Sequence, residues 1–261
     1  MIKPIAVVTG ASSGLGAIYA EKLANLGYNL ILVARRENLM QNLADKINSS
    51  VPTDIRIIKK DLSNLGEIKV LAKLLEVEHE IEILINNAGF GTVGRFYRQD
   101  PEKPEAMLTL HVHAPTILSR AVLPAMLKLN KGFIINVSSL AAFLTSSGNV
   151  TYSATKAYLN TFSLILAGEL KNKNINIQSL CPGFTHTDML NTPEYKSRDI
   201  DESSVPGWMW MEAEPVVDYS LKQINSGRVI IIPGIRNKIL KAVMTSKILK
   251  PLVKLLLSHH R

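Results

Sequence analysis

The chain of 261 residues contains a single cysteine, Cys181, so no disulfide can form within it, which suits a reducing compartment. No apolar run approaches the roughly 18 residues needed to span a bilayer. Met1-Ile2-Lys3-Pro4 leads straight into Ile5-Ala6-Val7-Val8, without the basic, apolar and cleavage regions of a secretory signal. These absences lead us to expect a soluble protein of the cytoplasm. No low-complexity linker divides the chain. At 46% hydrophobic and 20% charged residues it can bury one large core, expected over residues 1–235. Acids are missing altogether after Ile235, where seven bases (Arg236, Lys238, Lys241, Lys247, Lys250, Lys254, Arg261) stand alone. The 23 bases before that point nearly cancel 22 acids, so a neutral body carries a basic tail, residues 236–261. A nucleic-acid face on the body is not expected.

What is present is an alternation of strands and helices. The β-branched run Ile5 to Val8 leads into Thr9-Gly10-Ala11-Ser12-Ser13-Gly14-Leu15-Gly16 and then a helical pattern through Leu26. Strand, glycine-rich turn and helix in that order are the setting of a dinucleotide fingerprint, here spaced GxxxGxG. The glycines let backbone approach a pyrophosphate, which rests on the amides and positive dipole end of the helix. Further strands are predicted over Asn29 to Ala34, Ile55 to Lys59, Glu82 to Ile85, Phe133 to Val137, Asn174 to Leu180 and Gly227 to Ile232. An open loop, Phe90 to Glu102, precedes a long helix running to Leu129. The series predicts an α/β fold: a doubly wound Rossmann-type parallel sheet of about seven strands, with helices on both faces. Its carboxyl edge would gather the glycine turn, Asp61-Leu62, Asn86-Asn87-Ala88-Gly89, Ser138-Ser139 and Cys181-Pro182-Gly183.

Arg35 and Arg36 follow the second strand, where the adenosine ribose of a dinucleotide would lie. An acid there suits NAD, whereas arginine suits a 2′-phosphate, so we expect NADP(H). The alternative is a pair of solvated arginines opening a surface helix. Asp61 either accepts from the adenine amino group or caps the helix that starts near Asn64. Tyr152 and Lys156, four residues apart in a predicted helix, leave the same face. An ammonium about 4–5 Å from a phenol stabilises the phenolate by roughly 3–4 kcal/mol, enough to bring its pKa toward neutrality. The plainer alternative is a core tyrosine with a solvated lysine.

Four motifs stand in order and spacing between residues 3 and 235: Thr9-Gly10 through Gly14 and Gly16, Asn86-Asn87-Ala88-Gly89, Ser139 with Tyr152 and Lys156, and Pro182-Gly183 followed by Thr187. In these the sequence resembles the short-chain dehydrogenase/reductase family. The resemblance implies hydride transfer between a nicotinamide and a carbonyl or alcohol carbon of a small molecule. Tyr152 would be the general acid in reduction, Lys156 would hold the nicotinamide ribose and lower the phenol pKa, and Ser139 would position the substrate oxygen. Pro182, Gly183, Thr185 and Thr187 would meet the carboxamide end of the cofactor. The rest of the expected cofactor set is Gly10, Ser12, Ser13, Gly14, Leu15, Gly16, Arg35, Arg36, Asp61, Leu62, Asn87, Ala88 and Gly89. A homodimer or homotetramer is expected. One departure stands out: His111 occupies the place where the family usually has an asparagine that anchors a proton-relay water. A neutral imidazole both donates and accepts and so can hold a water, and beside Lys156 it would stay neutral. Alternatively His111 is a hydrogen-bonded core histidine, and the protein binds NADP with weak or lost catalysis.

Residues 184–213 show no strand pattern but hold both tryptophans, as expected of a lid above the carboxyl edge. Phe184, Met189, Trp208 and Trp210, with Ser139, are the candidate substrate contacts. They suggest an apolar ketone or acyl-type substrate, unless they only pack the lid to the body. In the tail, Ile239, Leu240, Val243, Met244, Ile248, Leu249, Leu252, Val253, Leu255 and Leu256 alternate with lysines. Such amphipathic segments, broken near Pro251, fit either a protein interface or an anionic membrane surface.

Overall fold

The computed structural model describes residues 3–92, 94–145, 148–187 and 205–246. Met189, Leu190 and Tyr195 of the expected lid, and the tail beyond residue 246, lie outside the described residues. The strands are β1 (Ile5–Thr9), β2 (Asn29–Ala34), β3 (Ile55–Lys59), β4 (Ile81–Asn86), β5 (Gly132–Val137), β6 (Ile175–Leu180) and β7 (Ile230–Ile231). They form one parallel sheet in the order β3-β2-β1-β4-β5-β6-β7. The helices are α1 (Gly14–Asn25), α2 (Glu37–Asn48), α3 (Leu65–Glu76), α4 (Glu102–Leu108), α5 (Ala114–Leu129), α6 (Val150–Glu169), α7 (Ala213–Lys222) and α8 (Ile235–Thr245).

Successive strand residues point to opposite faces, and in β1 both faces are buried. Ala6 and Val8 join Tyr19 and Leu23 of α1, Met40 of α2 and Val216 of α7 in one core layer. Val7 joins Leu71 of α3, Leu118 and Val122 of α5 and Ile134 of β5 in the other. A doubly wound sheet built this way places every strand's carboxyl end on one edge, and the order reverses between β1 and β4.

Three elements differ from expectation. The long helix before β5 is interrupted by a π-helical turn at Thr109–His113. Pro115 has no N–H to give the carbonyl of His111 four residues earlier, which favours a widened turn there. β7 is only two residues long, because Pro233 cannot continue the ladder and Gly227 sits at φ +71°. α7 fills a stretch for which the sequence pattern gave no element. Asn64, not Asp61, caps α3: its Oδ1 accepts from the backbone N of Gly66 at 2.8 Å and of Glu67 at 3.2 Å.

Candidate active site

The glycine turn and the Asn-Asn-Ala-Gly segment are built as one unit. Thr9 Oγ1 accepts from the backbone N of Asn87 and Ala88 at 3.0 and 3.1 Å and donates to the Ile85 carbonyl. Asn87 Nδ2 donates to the carbonyls of Thr9 and Gly10 at 3.0 and 3.2 Å. A Cβ at Gly16 would lie 2.2 Å from the Gly10 carbonyl oxygen, and one at Gly10 would lie 2.8 Å from the Ala88 backbone. Gly10 and Gly14 also hold φ +66° and +56°, so the turn accepts no side chain at these places. Asn86 instead turns inward: its amide donates to Asn136 Oδ1 and Ser119 Oγ within the core.

α1 opens from this turn with no side-chain cap and no acid in its first turn, leaving its dipole end uncompensated for an anion. The Leu15 and Leu62 side chains are buried in the core, so they offer a cofactor only backbone. Arg36 closes on the turn: its guanidinium donates to Ser12 Oγ at 3.0 Å and Ser13 Oγ at 2.7 Å. Arg35 lies instead 3.9 Å from the Asp61 carboxylate. Burial raises the Asp61 pKa, but the Ser63 hydroxyl and N–H, with Arg35, outweigh it and hold the carboxyl below its usual value. This set, an uncapped helix start with two arginines and close backbone, fits the pyrophosphate of a dinucleotide.

The start of α6 brings Tyr152 and Lys156 together in a buried position. The Tyr152 hydroxyl approaches the Ser139 hydroxyl at the tip of β5. Ser139 Oγ also accepts from the Ala141 N–H at 3.1 Å. Lys156 Nζ donates to the Val137 carbonyl at 2.8 Å and lies 5.6 Å from the Tyr152 ring centroid. The expected lowering of the phenol by the ammonium is not what this arrangement gives. Burial raises the Tyr152 pKa and only the Ser139 hydroxyl opposes it, because the ammonium sits over the ring and is spent on a carbonyl. Lys156 itself is pushed down to about 8 by burial, with Cys181 partly opposing. The Cys181 thiol beneath it is raised to about 11 by burial and donates to Asn160 Oδ1.

His111 sits on the π-helical turn with both ring nitrogens engaged. Nε2 accepts from the Phe90 N–H at 3.2 Å, and Nδ1 lies 3.0 Å from Thr155 Oγ1. The Thr155 hydroxyl donates to the Tyr152 carbonyl, so the consistent tautomer carries its proton on Nδ1. Burial, and secondarily Lys156, hold the ring well below the ordinary histidine pKa. In this geometry the imidazole is a hydrogen-bonded core group with no ring nitrogen left to hold a water. Gly89 makes room for it: a Cβ there would lie 2.9 Å from Nε2. A cavity of about 10 Å³, near the size of one water, lies between His111, Lys156, Asn86 and Ala88.

Pro182 and Gly183 follow β6, where the Pro182 carbonyl accepts from the Leu140 N–H at 2.9 Å. Thr185 Oγ1 donates to the Gly183 carbonyl. Thr187 lies beside the glycine turn, with its methyl 3.3 Å from where a Cβ on Gly14 would be. Asn237 of α8, which the sequence pattern did not single out, packs against Gly183: a Cβ there would meet Asn237 Oδ1 at 2.6 Å. Only its place three residues after Gly234 could have hinted at this. Among the candidate substrate contacts, Trp210 is committed to the lid itself. It stacks on His186 at 4.7 Å, touches Phe184 at 5.6 Å and donates from Nε1 to the Val205 carbonyl. Trp208 faces solvent.

The short chain dehydrogenase family model matches residues 4–197. An uncharacterized oxidoreductase of Staphylococcus saprophyticus is 31% identical over 208 residues, 77% of this chain and 89% of the relative. A human protein named inactive hydroxysteroid dehydrogenase-like protein 1 is 34% identical over 186 residues, 70% of this chain but 56% of its own length. Among solved structures, a Sphingobium yanoikuyae short-chain dehydrogenase in complex with NADPH superposes with a TM-score of 0.82 at 32% identity. The match covers 89% of this chain and 88% of that one. A Comamonas testosteroni bulky-bulky ketone specific alcohol dehydrogenase gives 0.78 at 32% identity, covering 92% and 91%.

Proposed function

The chain belongs to the short-chain dehydrogenase family, and from that premise we propose that it is an NADP(H)-dependent oxidoreductase that reduces an apolar ketone or acyl-type carbonyl. The reading rests above all on the Tyr152 hydroxyl meeting Ser139 at the carboxyl edge of the sheet, beside Lys156 and the interlocked glycine turn. NADPH, when bound, supplies the hydride. Gly10 to Gly16, Asn87 to Gly89 and the Pro182–Thr187 segment would hold it, with Arg36 and Arg35 toward the 2′-phosphate. Ser139 and Tyr152 would donate hydrogen bonds to the carbonyl oxygen, and Tyr152 would deliver the proton. Lys156 would turn from the Val137 carbonyl to the cofactor ribose and stabilise the phenolate that results, while the adjoining 10 Å³ cavity gives a water room to return the proton.

The NADP preference is supported by Arg36 on the turn, by Ala34 in place of an acid at the end of β2, and by the NADPH-bound Sphingobium structure. A bulky apolar carbonyl substrate is supported by the aromatic lid and by the name of the Comamonas enzyme. Exposed Leu164 and Ile165 on α6 support assembly as a homodimer or homotetramer. The buried free thiol of Cys181 agrees with a reducing cytoplasm, and no described helix is long and apolar enough to cross a membrane.

Turnover of a panel of apolar ketones with NADPH tests the reading. Tyr152→Phe should lower kcat by about 10²- to 10⁴-fold and leave NADPH binding intact. A second reading, a cofactor-binding protein with little catalysis, is favoured by the fully engaged His111 ring and by the name of the human relative. Tight NADPH binding without NADPH oxidation, unchanged by Tyr152→Phe, would establish it.

A further inference from the structure

α8 is amphipathic twice over. Its inner side packs Asn237, Leu240 and Met244 on the body, where Leu240 meets Leu140, Cys181 and Ile232. Its outer side carries a second apolar stripe, Ile235 at 69% exposure and Ile239 at 58%, one helical turn apart, with Arg236 and Lys238 exposed between them. The Arg236 guanidinium donates to the Trp208 carbonyl at 2.9 Å. That bond joins the helix to the lid residue Trp208, which is itself 63% exposed. Ile235 and Ile239 thus form an uncovered apolar stripe flanked by cations, and the Arg236 bond ties the exposed Trp208 segment to the same helix.

We infer that this face docks on the surface of an anionic lipid bilayer. Charge selects the occupant. Every charged residue from Arg236 to the end of the chain is basic, while the rest of the chain is nearly neutral. A second copy meeting this face across a two-fold axis would set Arg236 and Lys238 against identical cations. A nucleic acid would match the charge but leave Ile235 and Ile239 uncovered. A bilayer of anionic lipid answers both features: aliphatic and indole groups enter the headgroup boundary, and each Lys or Arg near the surface strengthens binding about fivefold. The Trp208 segment would then face the lipid. This inference does not depend on the hydride-transfer reading.

The full chain is tested by co-sedimentation with phosphatidylcholine vesicles and with vesicles containing about 30% phosphatidylglycerol. Both are run at low salt and at about 0.5 M NaCl, with tryptophan emission recorded. The only two tryptophans are Trp208 and Trp210, so the emission reports on this region alone. We expect binding at least about tenfold tighter to the anionic vesicles, a blue shift on binding, and loss of both at high salt. Ile235→Glu/Ile239→Glu should weaken vesicle binding at least about tenfold while NADPH binding and vesicle-free turnover stay unchanged. The milder Ile235→Ser/Ile239→Ser serves if the glutamate pair perturbs folding. The inference is overturned by absent binding, by equal affinity for the two vesicle types, or by binding that the paired substitutions do not weaken. It is equally overturned if those substitutions act by dissolving an oligomer seen without vesicles, which would make the face a contact between copies.

Discussion

His111 makes the stability of this protein sensitive to mild acid, and the size of the effect follows from its surroundings. The ring is neutral, accepts from the Phe90 N–H and donates toward Thr155, with Lys156 nearby. A second ring proton would set two donors against each other at Nε2 and add a cation beside a cation. The folded pKa is therefore depressed, and as pH falls through about 6.5 the unfolded chain takes up a proton that the folded chain refuses. For this base the stability is complete above the unfolded value and is lost below it. While the folded ring stays neutral, the loss is about 1.4 kcal/mol at pH 5.5 and under about 0.1 kcal/mol at pH 7.5. His111→Asn retains an acceptor for Phe90 and removes the titration. Urea unfolding of both proteins at pH 7.5, 6.5 and 5.5 isolates the term, since the remaining histidines are common to both and cancel. The stability difference between them should move by about 1.4 kcal/mol across that range in favour of the asparagine variant. Parallel pH curves would refute the buried neutral ring.

Three other outcomes are expected. Lys156, held near 8 by burial, should be ammonium below that pH and amine above it, so kcat/KM should fall as pH rises through about 8; a profile flat to pH 10 would remove the ammonium from the mechanism. Arg36→Ala should weaken NADPH about 10- to 150-fold and NADH little, with a smaller discrimination for Arg35→Ala because Asp61 draws Arg35 aside; equal losses for the two cofactors, measured by fluorescence titration, would overturn the NADP assignment. Gly16→Ala should abolish cofactor binding, since its Cβ would fall 2.2 Å from the Gly10 oxygen; retained affinity in calorimetry would mean the turn relaxes.

The seven-strand sheet was legible because periodicity is a local property. Ile5 to Thr9, Asn29 to Ala34 and Phe133 to Val137 are apolar runs buried on both faces, and each gives way to small or polar residues at one edge. The glycine turn and the Tyr152–Lys156 pair were legible for the same reason, their chemistry lying within a few residues. α7 was not, because a ten-residue helix with only Val216, Val217 and Ser220 buried leaves a weak pattern. β7 was overread because pairing, not composition, ends a strand.

What the sequence determined alone is the inventory: a turn that only glycine can make, a phenol and an amine on one helical face, two arginines after β2, and an acid-free tail. What only the folded chain decided is how those groups are spent. Lys156 bonds the Val137 carbonyl and is discharged toward neutrality by burial, Arg36 rather than Arg35 closes on the turn, and His111 is saturated by Phe90 and Thr155. Hydrogen bonds and desolvation depend on neighbours distant in the chain, 44 residues for His111 and Thr155 and 79 for Thr9 and Ala88, and no local pattern encodes which of them will arrive.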